Sequence, residues 1–394
     1  MPENFNTIHK RLQEYINMLI SEKGYMYAGY PRYMELFGRD SIISAVELFY
    51  IHPEMLKRTL ITLAEYQGKS YNNNTGEEPG KILHEVASHE TFRYDPGKEK
   101  WVKPGIPLYY SIDSTPLFVI ACELYMKSTQ DDEFLHYIKG NLEKAVSWMV
   151  KKSEKTGFLT YNTAESGNRL AAQGWMDGAW STYRSRSGDA ALIEVQGYFY
   201  QAMKAYNELF PGNQLRSIID SRLDFLENYL DTYFWMDDEQ YYSPAVFFKG
   251  IEAEKVNMVS SVAGHLIFTK IVNKNRKASI VRRLFEDDMA TPFGIRTLSS
   301  ENCNFDPYKY QSGSIWPHDN WLILNGLKYS GFNKEVALLK SYILNAIQAI
   351  KEPYEYYSVD RSGNIINMED LEIPPCMPQA WSVGAFASII DGKF

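Results

Sequence analysis

Apolar positions along most of this chain recur at helical spacing. Over residues 7–22, Ile8, Leu12, Ile16 and Leu19 fall on one face, with Thr7 placed to cap the start and Gly24 to end it. Pro53 suits the first position of a second helix, on which Leu56, Leu60 and Leu63 share a face and which Gly68 closes. Thr115-Pro116 sets up a similar start ahead of LFVIACELYMK. The same pattern predicts helices near 41–50, 133–152, 189–208, 214–233, 258–272, 276–286, 314–329, 333–350 and 378–389. Short extended pieces are expected at 156–162 and 240–248, and no run reads as a large sheet. The fold class is all-α.

Long stretches separate these helices, at 68–113, 155–187, 235–256, 287–313 and 351–377. Loops beyond about 12–15 residues are usually functional or disordered, and these are too rich in Trp, Tyr, Asp, Glu and Gly for disorder. No Ser/Gly linker or low-complexity tract divides the chain, which reads as one domain spanning 1–394. A polar or aromatic cluster falls at the start of every second helix. These are Arg39-Asp40, Asp113, Asp177 with Glu194, His265, Trp316 to Asp319, and Gln379-Ala380-Trp381. They recur roughly every 60–80 residues, the length of a helical hairpin plus a long loop. Six hairpins closing into a ring would bring all six clusters to one mouth, the arrangement of an (α/α)6 barrel.

Composition narrows the ligand. The net charge is −8 and the sequence has no Lys/Arg stripe of the kind that displaces counterions from a duplex, so nucleic acid is not an expected partner. No segment reaches the ~18 consecutive apolar residues of a membrane span, and the charged N-terminal stretch lacks a signal-peptide pattern. Three scattered cysteines, Cys122, Cys303 and Cys376, fit a reducing compartment, and the expected location is the cytoplasm. Aromatic residues make up 14% of the chain and many lie in loops beside carboxylates, where flat rings could stack on sugar faces. Composition leans no further than a neutral, hydroxyl-rich ligand, bound by a monomer or homodimer.

Several motifs can be set aside. In HEVASHE, His84 and His89 are five residues apart and do not share a helix face, so the zinc-protease pattern is not met. There is no phosphate-binding loop and no nucleophile elbow. Neither a metal nor a cofactor is expected. Asp40 and Asp113, each at a helix start, could serve only as caps, but the repetition of such clusters beside Arg39, Trp316, His318 and Trp381 argues for more. Glycoside hydrolysis requires a carboxylic acid of raised pKa and a second carboxylate. Asp177 lies between Trp175 and Trp180, where apolar burial would raise its pKa, and Glu355 is likewise ringed by aromatics in EPYEYYSVD.

The runs FGRDSIIS (37–44), EEPGKILHE (77–85), YYSIDSTPLF (109–118), GWMDG (174–178), EVQGYFY (194–200), FGIRTLS (293–299), GSIWPHDN (313–320) and CMPQAW (376–381) resemble the glucosidase domain of glycogen debranching enzymes, within the six-hairpin glycosidases. Their order holds from about residue 30 to 390. The resemblance implies an (α/α)6 barrel that hydrolyses α-glucosidic bonds with inversion. It places the acid at Asp177 and the base at Glu355, with Glu352 a rival for the base. It also implies substrate contacts at Arg39, Asp40, His84, Glu85, Asp113, Trp175, Glu194, Gln196, Trp316, His318, Gln379 and Trp381. Gly178 stands where the family has Ser, and the barrel begins without the extra domains usual for polymer substrates.

The leading expectation, with a small carbohydrate as partner, is an exo-acting inverting α-glycosidase that releases terminal glucose from an α-1,6- or α-1,4-linked oligosaccharide. One alternative is hydrolysis of glucosyl- or mannosyl-glycerate, with Arg169 or Arg184 holding the carboxylate. Another is a sugar epimerase using His84, His265 and His318, or a carbohydrate-binding protein without catalysis.

Overall fold

Two kinds of helix alternate along the chain. In α1 (Phe5–Leu19) only Ile8, Leu12, Ile16 and Leu19 are buried, a single apolar stripe. The helices α3 (Pro53–Glu65), α5 (Asp132–Lys152), α7 (Arg216–Phe234), α8 (Lys274–Leu284) and α10 (Asn333–Ile350) are also one-sided. Their ends carry the expected chemistry. Pro53 opens α3, and the Asp131 carboxylate accepts from the Phe134 N–H at the start of α5, whose first turn holds Asp132 and Glu133 and whose last holds Lys151 and Lys152.

The other set is buried on nearly every side. It comprises α2 (Gly38–Glu47), α4 (Ser114–Thr129), α6 (Ile193–Leu209), the 3-10 helix Ser261–Phe268, α9 (Pro317–Tyr329) and α11 (Ala380–Ile390). Such all-round burial requires a neighbour on each flank. In this computed structural model, which describes residues 5–86, 104–163, 172–177 and 186–394 and the backbone of the strands Thr91–Arg93 and Lys100–Val102, those neighbours are one another. α2 packs on α4, α4 on α6, α6 on the 3-10 helix, that helix on α9, α9 on α11, and α11 returns to α2. The one-sided helices lie outside this ring: α3 against α2 and α4, α5 against α4 and α6, α7 against α6, α8 against the 3-10 helix, α10 against α9 and α11, and α1 against α11.

Two segments differ from the sequence expectation. The predicted helix 189–208 begins at Ile193, because Asp189–Leu192 is a strand whose four residues are all buried. It pairs antiparallel with Ala245–Lys249, with Ala245 opposite Leu192 and Phe248 opposite Asp189. Tyr161–Asn162 and Glu252–Lys255 flank this pair in a four-stranded sheet. The helix expected over 258–272 is a 3-10 helix confined to Ser261–Phe268. There the neighbouring helix approaches closely, since a Cβ on Gly264 would lie 2.7 Å from Cγ1 of Ile323 in α9. No helix among the described residues is long and apolar enough to cross a membrane.

Candidate active site

The N-terminal ends of the ring helices bring the polar clusters together. Arg39 and Asp40 lie in the first turn of α2, Asp113 immediately precedes α4 and Glu194 is in the first turn of α6. Trp316 and Gln379 are the residues preceding α9 and α11. Contacts between these ends place them at a single centre. Arg39 Nη1 donates to Asp113 Oδ2 at 2.9 Å, and its Nε lies 3.8 Å from Asp40 Oδ2. Trp175, in the segment that carries Asp177, meets Trp316 at 5.7 Å and His318 at 4.7 Å between ring centroids. His318 stacks on Trp381 at 3.9 Å with the rings 17° from parallel.

The carboxyls of this centre have different surroundings. Asp177 keeps partial solvent access, while the protein around it still desolvates it strongly. Burial raises its pKa to about 6, against the pull of Arg39 and with the added repulsion of Glu355 and Asp113. Burial likewise raises Asp40 to about 7, where Arg39 opposes and Glu355, Asp177 and Asp113 reinforce. Glu194 is pushed up to about 8, by burial first and then by Asp113 and Asp319. Glu355 is also raised by burial, but donors oppose the shift: the Tyr310 hydroxyl, the Cys376 backbone N–H and the Arg32 guanidinium.

Glu352, the rival to Glu355, faces elsewhere. It pairs with Arg11 Nε at 3.1 Å and accepts from Tyr15 at 2.7 Å, both residues of α1 on the outside of the ring. Glu85 belongs to the short strand Glu85–Val86 behind the start of α2, opposite Phe37 and Leu108, and His84 immediately precedes it with its ring edge-on to Phe37 at 5.4 Å. Gln196 departs from the expected substrate contact. Its Nε2 donates to the carbonyls of Leu159 and Leu192 and its Oε1 accepts from the Leu159 N–H, so the amide has no N–H left for a ligand. Gly178, Trp180, Arg169, Arg184 and His89 lie outside the described residues.

Several buried polar atoms around the centre have no hydrogen-bond partner among the described residues. They include both ring nitrogens of His318, Nε1 of Trp175 and of Trp381, Oε2 of Glu194 and Oε1 of Gln379. Buried polar groups are normally satisfied, so this concentration suits a ligand rich in hydroxyls. His265 is different, because its Nδ1 meets the Tyr198 hydroxyl at 2.6 Å and its Nε2 meets Asp319 Oδ1 at 2.7 Å. Arg32 and Tyr310 were not anticipated. Both come from irregular segments distant in sequence from Glu355, and neither belongs to a local pattern that would mark it.

Residues 33–363 match the mannosylglycerate hydrolase MGH1-like glycoside hydrolase domain. The chain belongs to this family. It is a glycosidase, and its resemblance to the six-hairpin enzymes resolves to this family in place of the glycogen debranching enzymes. In fold it is similar to the GH63 mannosylglycerate hydrolase from Thermus thermophilus in complex with glucose, at TM-score 0.70 and 14% identity over 98% of this chain and 99% of that chain. The complex of that enzyme with Tris and D-glycerate gives 0.69 and 14%, over 98% and 100%. A wild-type glycosidase gives 0.66 and 10%, over 98% and 96%. No curated protein matches the sequence.

Proposed function

We propose that this glycosidase hydrolyses an α-hexosyl-glycerate, a glucose or mannose joined to glycerate, with inversion at the anomeric carbon. The observation that carries the reading is the family match over residues 33–363, and the solved relative that holds D-glycerate supports it. The closed ring of six inner helices with six outer partners is read as an (α/α)6 barrel, its substrate entering at the helix N-termini.

In this reading Asp177 is the general acid. A pKa raised to about 6 keeps a useful fraction protonated near neutrality, ready for the leaving oxygen. Glu355 is the general base, because three donors favour its ionised form. Inversion calls for about 6.5–9.5 Å between the two carboxyls, room for the attacking water. Trp175, Trp316 and Trp381 serve as walls for the sugar ring, while Asp40 and Arg39 hold its hydroxyls. Of the imidazoles an epimerase would use to move protons, His265 has both nitrogens engaged, whereas those of His318 have no partner among the described residues.

The test is a panel of α-glucosylglycerate, α-mannosylglycerate, maltose and isomaltose, with the released anomer followed by proton NMR. Release of β-sugar from a glycerate conjugate is expected, with Asp177→Asn and Glu355→Gln each slowed about 100-fold or more. Initial release of the α-anomer overturns inversion, and turnover of the disaccharides alone overturns the glycerate assignment.

A further inference from the structure

A carboxylate offers about four lone-pair sites, two on each oxygen. On Glu355 the donors are unevenly shared. Oε2 accepts from the Cys376 backbone N–H at 3.0 Å and from Arg32 Nη2 at 3.4 Å. Oε1 accepts from the Tyr310 hydroxyl alone among the described residues.

Each donor is held by its own surroundings. The Tyr310 ring is edge-on to Trp316 at 4.9 Å and to Tyr356 at 5.1 Å, and its carbonyl accepts from Ser314 Oγ and Trp316 Nε1. The Arg32 guanidinium lies 5.6 Å from the Tyr33 ring centroid. Its segment is stitched to the one carrying Cys376 by three backbone bonds: Tyr30 N–H to Pro378 at 3.0 Å, Met377 N–H to Tyr30 at 2.9 Å and Ala380 N–H to Ala28 at 2.8 Å. The Glu355 N–H also donates to the Cys376 carbonyl at 2.8 Å. Base and donors therefore share one rigid frame.

We infer that Tyr310 and Arg32 are positioning residues for the base: with the Cys376 N–H they occupy three lone-pair sites of Glu355 and leave one, on Oε1, to receive the proton of the attacking water. This rests on the reading of Glu355 as base. In the step, the water oxygen bonds to the anomeric carbon and its proton passes to Oε1. The bond from that carbon to the glycosidic oxygen breaks, and that oxygen takes the proton of Asp177. One proton must then return from Glu355 to Asp177 through solvent before the next turnover.

The other titratable groups that act on this cluster are the carboxyls of Asp40 and Asp177, the Cys376 thiol and the hydroxyls of Tyr33 and Tyr356. Those carboxyls disfavour a charge on Glu355, and Arg32 is the cation that favours it. Removing either donor makes the anion harder to form.

The test is the pH dependence of kcat and kcat/KM on α-glucosylglycerate and α-mannosylglycerate for Tyr310→Phe, Arg32→Gln and Arg32→Lys. Tyr310→Phe is expected to lower kcat about ten-fold or more with KM little changed, since a hydrogen bond to a charged group is lost. The acidic limb of kcat/KM should move upward by about one unit. Arg32→Gln should move it the same way, and Arg32→Lys should restore it. Arg32 is partly exposed, so its variants give an answer even if Tyr310→Phe disturbs packing. Limbs that stay at the wild-type position, or a raised KM at unchanged kcat, overturn the inference.

Glu355→Ala with added azide separates the two levels. Loss of hydrolysis with formation of β-glycosyl azide keeps Glu355 as base, so unchanged limbs would then sink the positioning role alone. Wild-type hydrolysis by Glu355→Ala would remove the base assignment and the inference together.

Discussion

Asp177 and Glu355 carry the same functional group and differ in what surrounds it. Asp177 is desolvated with Arg39 as its main counterweight, whereas Glu355 has donors on both oxygens. For both residues the burial that raises the pKa was legible in sequence, where aromatic residues are their chain neighbours. The donors to Glu355 were not, since Arg32 lies 323 residues away and Tyr310 45. Gln196 shows the converse. A polar residue in a family-like motif reads as a ligand contact, yet its amide fastens the Leu159 segment to α6. Gln196→Ala would strip partners from buried backbone groups, at a cost of about 1–3 kcal/mol for each group left unsatisfied. Denaturant titration should show that loss while KM for the glycerate conjugate stays unchanged. A raised KM at wild-type stability would return Gln196 to the substrate.

At the scale of elements, the outer helices were the more legible. One apolar stripe gives a clear period, and in α1 the four residues assigned to the buried face are the four found there. Ring helices lose that signal because both faces are covered. In α11, ten of 11 residues are buried, and the sequence marks it by its start and its length more than by periodicity. The strand Asp189–Leu192 was hidden for a related reason, since four buried residues running directly into α6 look like more helix. Contact between ring helices also explains a buried acid far from any assigned chemistry. Glu47 of α2 faces Gly384 of α11, where a Cβ would come within 2.4 Å of its Oε2. Gly384→Ala should therefore cost about 1–3 kcal/mol by overpacking. Burial pushes the Glu47 pKa well above 4.5, with the Ala385 backbone N–H opposing. The folded state thus binds this proton more tightly than the unfolded chain, and the contribution to stability declines as pH rises above about 4.5. Glu47→Gln keeps the shape without the ionisation, so its melting temperature should exceed wild type at pH 8 and by less at pH 4.5. An equal difference at both values would count against the buried-acid argument.

The whole molecule sets two tendencies of the ring against each other. Helix N-termini favour anions by about 0.3–1 kcal/mol each, which explains why acidic residues cluster there and why spacing in the sequence could predict a common mouth. Closing the ring then buries those acids, and Asp177 of the segment 172–177 beside them, among like charges, and this effect is the larger. The pKa values of Asp177, Asp40 and Glu194 stand at about 6, 7 and 8, against ordinary values of 3.8, 3.8 and 4.5. Sequence could not weigh the two, because desolvation depends on how tightly the six ends converge. The balance has a thermodynamic signature. Between the ordinary carboxyl range and about pH 8 the folded state holds more protons than the unfolded chain, so stability falls as pH rises through that window. Below about pH 4 both states are protonated at these sites and their contribution levels off. Thermal unfolding from pH 4.5 to pH 8.5 should therefore show a steadily falling melting temperature, and Asp40→Asn should flatten the profile below about pH 7. A melting temperature that is constant or rises across the range would mean that these carboxyls ionise freely in the folded ring. The site would then lack the protonated acid that the proposed chemistry requires.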